Sequence, residues 1–111
     1  MKKTLLIIAA LCASTPAYAQ DTMKDDGNEV LTYCSPDASQ LTRGVCLGYI
    51  QGLWSGWDTL LTINKMRSCI PANVSLGQVR DVTVAYIRRN PAKRHERSIL
   101  LFPRAVTEAW P

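Results

Sequence analysis

Residues 41–63 constrain the fold more than any other stretch of this chain. Cys46, Ile50, Leu53, Trp57 and Leu60 are spaced 4, 3, 4 and 3 residues apart, which puts bulky groups on one face of a helix. Gly44, Gly48, Gly52 and Gly56 recur every four residues on another face, about 140° away at the helical rotation per residue. Four glycines cost a lone helix roughly 3 to 4 kcal/mol against alanine. The stripe therefore predicts a flat surface on which another backbone packs. No charge falls between Arg43 and Asp58, and only Gln51, Ser55 and Asp58 form a polar edge. Such a helix is expected to be central in its domain or to face a second copy. The uncharged stretch is too short for a membrane span, which takes about 20 residues.

Weaker patterns flank it. Residues 28–34 read as a short helix capped by Asn28, and residues 35–40, with Pro36, as a turn. Residues 64–73 form a connector holding Cys69 and Pro71. Ser75-Leu76-Gly77-Gln78 fits a capping box. The helix it opens buries Leu76, Val79, Val82, Tyr86 and Ile87 and ends at Asn90-Pro91, where proline restricts the residue before it. Asn90 then caps a last helix with Pro91 in its first position. That helix runs to about Trp110, with Ile99, Phe102, Val106 and Trp110 inward and a kink or break near residues 99–102 imposed by Pro103. No window sustains strand alternation. The predicted fold is all-α, a small bundle of three main helices plus a short N-terminal helix.

The first nineteen residues read as an address. Lys2 and Lys3 precede an apolar run from Thr4 to Ser14, and Ala17-Tyr18-Ala19 is a small-x-small cleavage site. Leu11 before Cys12 speaks against lipid attachment at that cysteine. Cleavage after Ala19 leaves 92 of the 111 residues, one domain, with a flexible stretch at 20–27 and a single helical domain over 28–111. The formal charge falls from +4 to +2 once Lys2 and Lys3 are gone, too little to point to nucleic acid. It is unevenly spread. Residues 20–58 carry two basic and six acidic groups, residues 59–111 nine basic and three acidic. The basic half suits an acidic partner or an anionic surface, or is a solvated helix face.

Cys34, Cys46 and Cys69 remain, an odd number, so one thiol is unpaired or pairs between chains. Export permits disulfides. With one histidine, His95, the set does not complete a zinc site, so neither a metal nor a cofactor is expected. A nucleophilic Cys69–His95 pair has no supporting motif, and His95 sits among Lys93, Arg94 and Arg97. No phosphate loop is present, because the glycines follow a helical period. The residues argue against an enzyme.

Cys46-Leu47-Gly48-Tyr49-Ile50-Gln51-Gly52 resembles the cysteine-x-glycine-tyrosine-isoleucine-x-glycine signature of the Rap/Tai immunity protein family. Cys69-Ile70-Pro71 with Val74-Ser75-Leu76-Gly77-Gln78 resembles its second block. Tyr86-Ile87, Asn90-Pro91 and Arg94-His95 resemble its third, and Ala109-Trp110-Pro111 its C-terminal end. The blocks fall in order over residues 34–111. The resemblance implies a small helical fold, often dimeric. It also implies a periplasmic protein that binds and inhibits a peptidoglycan amidase delivered by type VI secretion. It further implies a disulfide between Cys34 and Cys46, and a second from Cys69 to a terminal cysteine that does not follow Pro111 here. Cys69 is then the odd thiol, free or bridging two chains. A contact with the amidase is expected at the basic turn of Arg88, Arg89, Lys93, Arg94, His95 and Arg97, where Asn90-Pro91 fixes the backbone. A periplasmic chaperone or stress protein without catalytic activity, holding clients on the bulky seam and the basic half, is the alternative. Tight binding to one partner separates the first reading from the second, which calls for many.

Overall fold

The computed structural model describes residues 24–111. The signal peptide and cleavage site predicted for residues 1–19 lie outside them. Four α-helices form the domain: α1 (Gly27–Tyr33), α2 (Gln40–Ile63), α3 (Leu76–Arg89) and α4 (Ser98–Ala109), with a 3-10 turn at Pro91–Lys93. Among the described residues there is no strand beyond one isolated bridge between Asp26 and Arg97, and no helix is long and apolar enough to cross a membrane.

Each helix end accounts for its own backbone groups. Asp26 caps α1, accepting from the Glu29 amide at 2.9 Å, where the sequence pointed to Asn28. The reason lies far along the chain. The Gly27 and Asn28 amides donate to the carbonyls of Glu96 (3.3 Å) and Arg94 (3.2 Å), so the first turn is completed two residues earlier than local signals indicate. Asp25 to Gly27, the end of the stretch expected to be flexible, are thereby held. Ser39 caps α2 through the Thr42 amide. The helix closes with the Lys65 amide on Thr62 and the Met66 amide on Leu61. This is a Schellman closure with Lys65, rather than glycine, at a φ of 55°. Both halves of the predicted capping box at Ser75 and Gln78 form, at 3.2 and 3.0 Å.

The fourth helix departs from expectation. Asn90-Pro91 opens only the 3-10 turn, and α4 begins at Ser98. Backbone carbonyls of Arg94 and Glu96 are committed to α1, and the Ser98 amide donates to the Asp25 carbonyl at 2.9 Å. Residues 94–97 therefore cannot join a helix. Pro103 does not break α4, because the helix starts only five residues before it. The first four amides of any helix lack partners, so the proline forfeits one bond, to Ile99.

Phe102, Ile50, Val30, Val79 and Val106 are fully buried, and Leu101, Ile87, Ala105 and Cys46 complete the centre. All four helices contribute to this core. The bulky seam of α2 holds from Cys46 through Leu53, with Trp57 half-buried, then shifts: Leu61 is buried while Leu60 is 48% exposed. A 4-3 repeat drifts about 20° per heptad on a straight helix, and Leu60 has drifted out. The glycine stripe also corrects the expectation. A Cβ added at Gly44, Gly48, Gly52 or Gly56 would meet nothing within 4 Å. Among the described residues no backbone packs on the stripe, so they leave α2 open on that face. Leu41, Val45 and Ile63 are exposed too, and at 4-3-4 spacings they extend the glycines into an uncharged outward face.

Candidate functional site

The Cys34–Cys46 disulfide joins the end of α1 to the second turn of α2, with 5.1 Å between the Cα atoms. Cys69 is free and half-buried at the edge of the core. The signature around Cys46 now has a physical reading. Cys46 makes the bridge, Ile50 fills the core, and Gly48 and Gly52 leave the outer face flat. Tyr49 turns toward the point where the two ends of the domain cross. Its hydroxyl donates to the Asp25 carboxylate and lies 2.8 Å from Ser98 Oγ, which is buried. Burial, and then the hydrogen bond to the Asp25 carboxylate, hold the Tyr49 hydroxyl well above the usual phenol range. Arg97 adds an ion pair to Asp25 at 3.3 Å. Tyr49 thus fastens the crossing of residues 25 and 98 to the middle of α2.

The predicted basic turn follows α3, and internal bonding divides its cations. Arg94 is half-buried. Its guanidinium donates to the carbonyls of Ile87 (3.4 Å), which also accepts from the Asn90 amide, and Arg88 (3.2 Å), bracing the helix end. Asn90 Nδ2 does the same for Tyr86 at 2.8 Å. Arg89 pairs with Glu108 at 2.7 Å, and Arg97 with Asp25. Arg88, Lys93 and His95 have no ion-pair partner among the described residues, and Arg88 and His95 are exposed. Arg88 and Arg97 line different depressions, Arg88 beside the disulfide and Arg97 beside Gly48 and Gly52. The six residues are therefore not one uniform patch. Arg89, Arg94 and Arg97 hold the turn in shape, while Arg88, Lys93 and His95 are available to a partner.

His95 and Cys69 are not hydrogen-bonded to each other or to a carboxylate among the described residues. Among the described residues no group of three or more histidine, cysteine or acidic side chains is arranged to hold a metal. Sequence reasoning missed the Asp25–Tyr49–Ser98 set, whose members are 24 and 49 residues apart. The tyrosine in the signature was its only local trace.

No curated protein and no solved structure gives a match to the chain. A family model described as Rap1a immunity proteins matches residues 26–111. That span begins at the Asp26 cap of α1 and takes in the disulfide, Tyr49, the capping box and the basic turn. The chain, which has the helical fold and the disulfide that its sequence blocks imply, belongs to the Rap1a immunity protein family.

Proposed function

We propose that the protein is exported to the periplasm, where it binds and inhibits a peptidoglycan amidase delivered by type VI secretion. Membership of an immunity family over residues 26–111 carries this reading. The signal-peptide pattern of residues 1–19 supports export. The contact uses the turn after α3, through Arg88, Lys93 and His95. A turn already held by Arg94, Asn90 and the Arg97–Asp25 pair loses little entropy on docking, and its cations speed association with an acidic cleft. The protein acts by occupying a site and has no chemistry of its own.

The working form is a homodimer, paired through the outward face of α2. What supports this is the uncharged run of Leu41, Val45, Gly48, Gly52 and Ile63, open in the single chain. Cys69 need not bridge the two copies, being half-buried.

The test is co-expression. A peptidoglycan amidase effector of type VI secretion, taken from the neighbouring gene where that gene encodes one, lyses the cell when exported alone and does not when exported with this protein. Continued lysis with both proteins folded and exported rejects the amidase reading. Arg88→Glu with Lys93→Glu removes protection if the turn makes the contact. Arg94 is left alone, because changing it would damage the end of α3. Protection that survives the pair moves the contact elsewhere.

A further inference from the structure

A cavity of about 330 Å³ opens between α1, α2 and α3, directly over the disulfide. Its lining mixes apolar groups, Cys34, Cys46, Val84, Pro36 and the Tyr33 ring, with Ser35 and charged side chains. Three arginines from two helices surround it, Arg43 from α2 and Arg80 and Arg88 from α3. Arg80, Val84 and Arg88 stand at i, i+4 and i+8, so one side of α3 presents two guanidiniums with an apolar residue between them.

The cluster is under-neutralised. Arg80 is paired with Asp81 at 2.9 Å, the one acid in the lining. Arg43 donates to the Pro36 carbonyl at 2.9 Å, which fixes its guanidinium at the mouth and leaves most of its five donors unused. Neither Arg43 nor Arg88 has a carboxylate partner among the described residues. Arg43 and Arg88 thus bring positive charge to the lining that no carboxylate there offsets, and an anion would relieve it. Planar guanidiniums favour a carboxylate, which accepts from them in a bidentate fork, and the disulfide and Tyr33 offer the rest of the ligand an apolar seat.

We infer that the Arg43–Arg80–Arg88 pocket over the Cys34–Cys46 disulfide is a binding site for a carboxylate carried on an apolar body. The pocket shares Arg88 with the proposed amidase contact, but Arg43 and Arg80 lie outside that contact, so Arg43→Gln tests the pocket without touching the turn. The carboxylate arrives either free, at the end of a small molecule or peptide, or as an acidic side chain within a chain.

Arginine side-chain NMR on the full exported chain tests this. The probes are N-acetylphenylalanine, its amide, a blocked pentapeptide with a central glutamate between leucines, and inorganic phosphate. Saturable shifts at the Nε–Hε groups of Arg43, Arg80 and Arg88 are expected with N-acetylphenylalanine or with the peptide. The first identifies a free carboxylate, the second one borne within a chain. Arg43→Gln and Arg88→Gln each weaken binding about tenfold, and Arg67→Gln, an exposed arginine outside the pocket, leaves it unchanged. Circular dichroism of each variant confirms the fold. The inference is overturned if the amide binds as well as the acid, if phosphate binds as tightly as the carboxylates, or if neither carboxylate probe saturates.

Discussion

Gly52→Leu should act in opposite directions on the single chain and on the pair. In the single chain a Cβ at Gly52 meets nothing within 4 Å, and the rest of the leucine enters the depression that Gly52 shares with Arg97 and Ile99. Replacing a mid-helix glycine by leucine then improves helix propensity by about 0.7 kcal/mol. For a domain of this size that raises Tm by roughly 3 to 5 °C. In a dimer built on the α2 face the same leucine stands between two closely approached backbones. Overpacking costs about 1 to 3 kcal/mol per site, and a two-fold interface counts it twice. Association should weaken by about 30-fold or more. Melting at micromolar dilution reads the first effect, and sedimentation across a concentration series reads the second. A lower Tm in the dilute single chain would mean that the stripe is covered within the fold. A variant that associates as tightly as the parent would remove the glycine face from the interface. A parent that stays monomeric at every concentration would dispose of the dimer.

Cys34→Ser with Cys46→Ser removes the bridge across a separation of 12 residues and should cost about 3 kcal/mol in chemical denaturation; an unchanged midpoint would mean that α1 is held without it. Tyr49→Phe should destabilise by about 1 to 3 kcal/mol, the cost of unpaired groups near the crossing. It should also flatten the alkaline limb of the stability curve. Tyr49 has a raised folded pKa, so its contribution is complete below the unfolded value of about 10 and declines as pH rises above it, because unfolding releases the proton; a limb as steep as the parent's would assign that loss to other groups. Gly27→Ala should destabilise by about 1 to 3 kcal/mol, since its Cβ would sit 2.8 Å from Leu101 Cδ1 and 3.0 Å from the Arg94 carbonyl oxygen; a neutral thermal melt would show that the crossing can shift. Lys65→Gly should stabilise by about 1 kcal/mol by relieving a left-handed residue at the close of α2; a lower Tm would show that the lysine side chain contributes more than its backbone costs.

What could be read from the sequence was local. The α2 and α3 helices announced themselves through bulky residues at helical spacing and, for α3, the Ser75–Gln78 box. The disulfide followed from the resemblance around Cys46 and could not be deduced from three cysteines alone. The start of α4 was illegible because Asn90-Pro91 carries a true helix-start pattern, and only the use of the Arg94 and Glu96 carbonyls by α1 overrules it. Periodicity placed the four glycines on one face but carried no information about what lies opposite. The basic turn was visible as composition. Its division into Arg89, Arg94 and Arg97 on one hand and Arg88, Lys93 and His95 on the other depends on distant partners such as Glu108 and Asp25. Arg80 and Arg88 share a readable spacing, yet nothing in the sequence brings Arg43 to them.

The crossing of residues 25–28 with residues 94–98 also sets an order of events during folding. The Gly27 and Asn28 amides find their acceptors only on Glu96 and Arg94, and the Ser98 amide only on Asp25. These contacts span some seventy residues, and closing so long a loop is slow compared with forming a local turn. The disulfide spans a dozen residues and can close early, giving an α1–α2 hairpin that is covalently tied yet unfinished at its front edge. Residues 94–96 must be available before the first helix can be completed. A ribosome-bound chain therefore lacks the clasp that makes the domain whole until residues 94–98 have emerged and can reach residues 25–28.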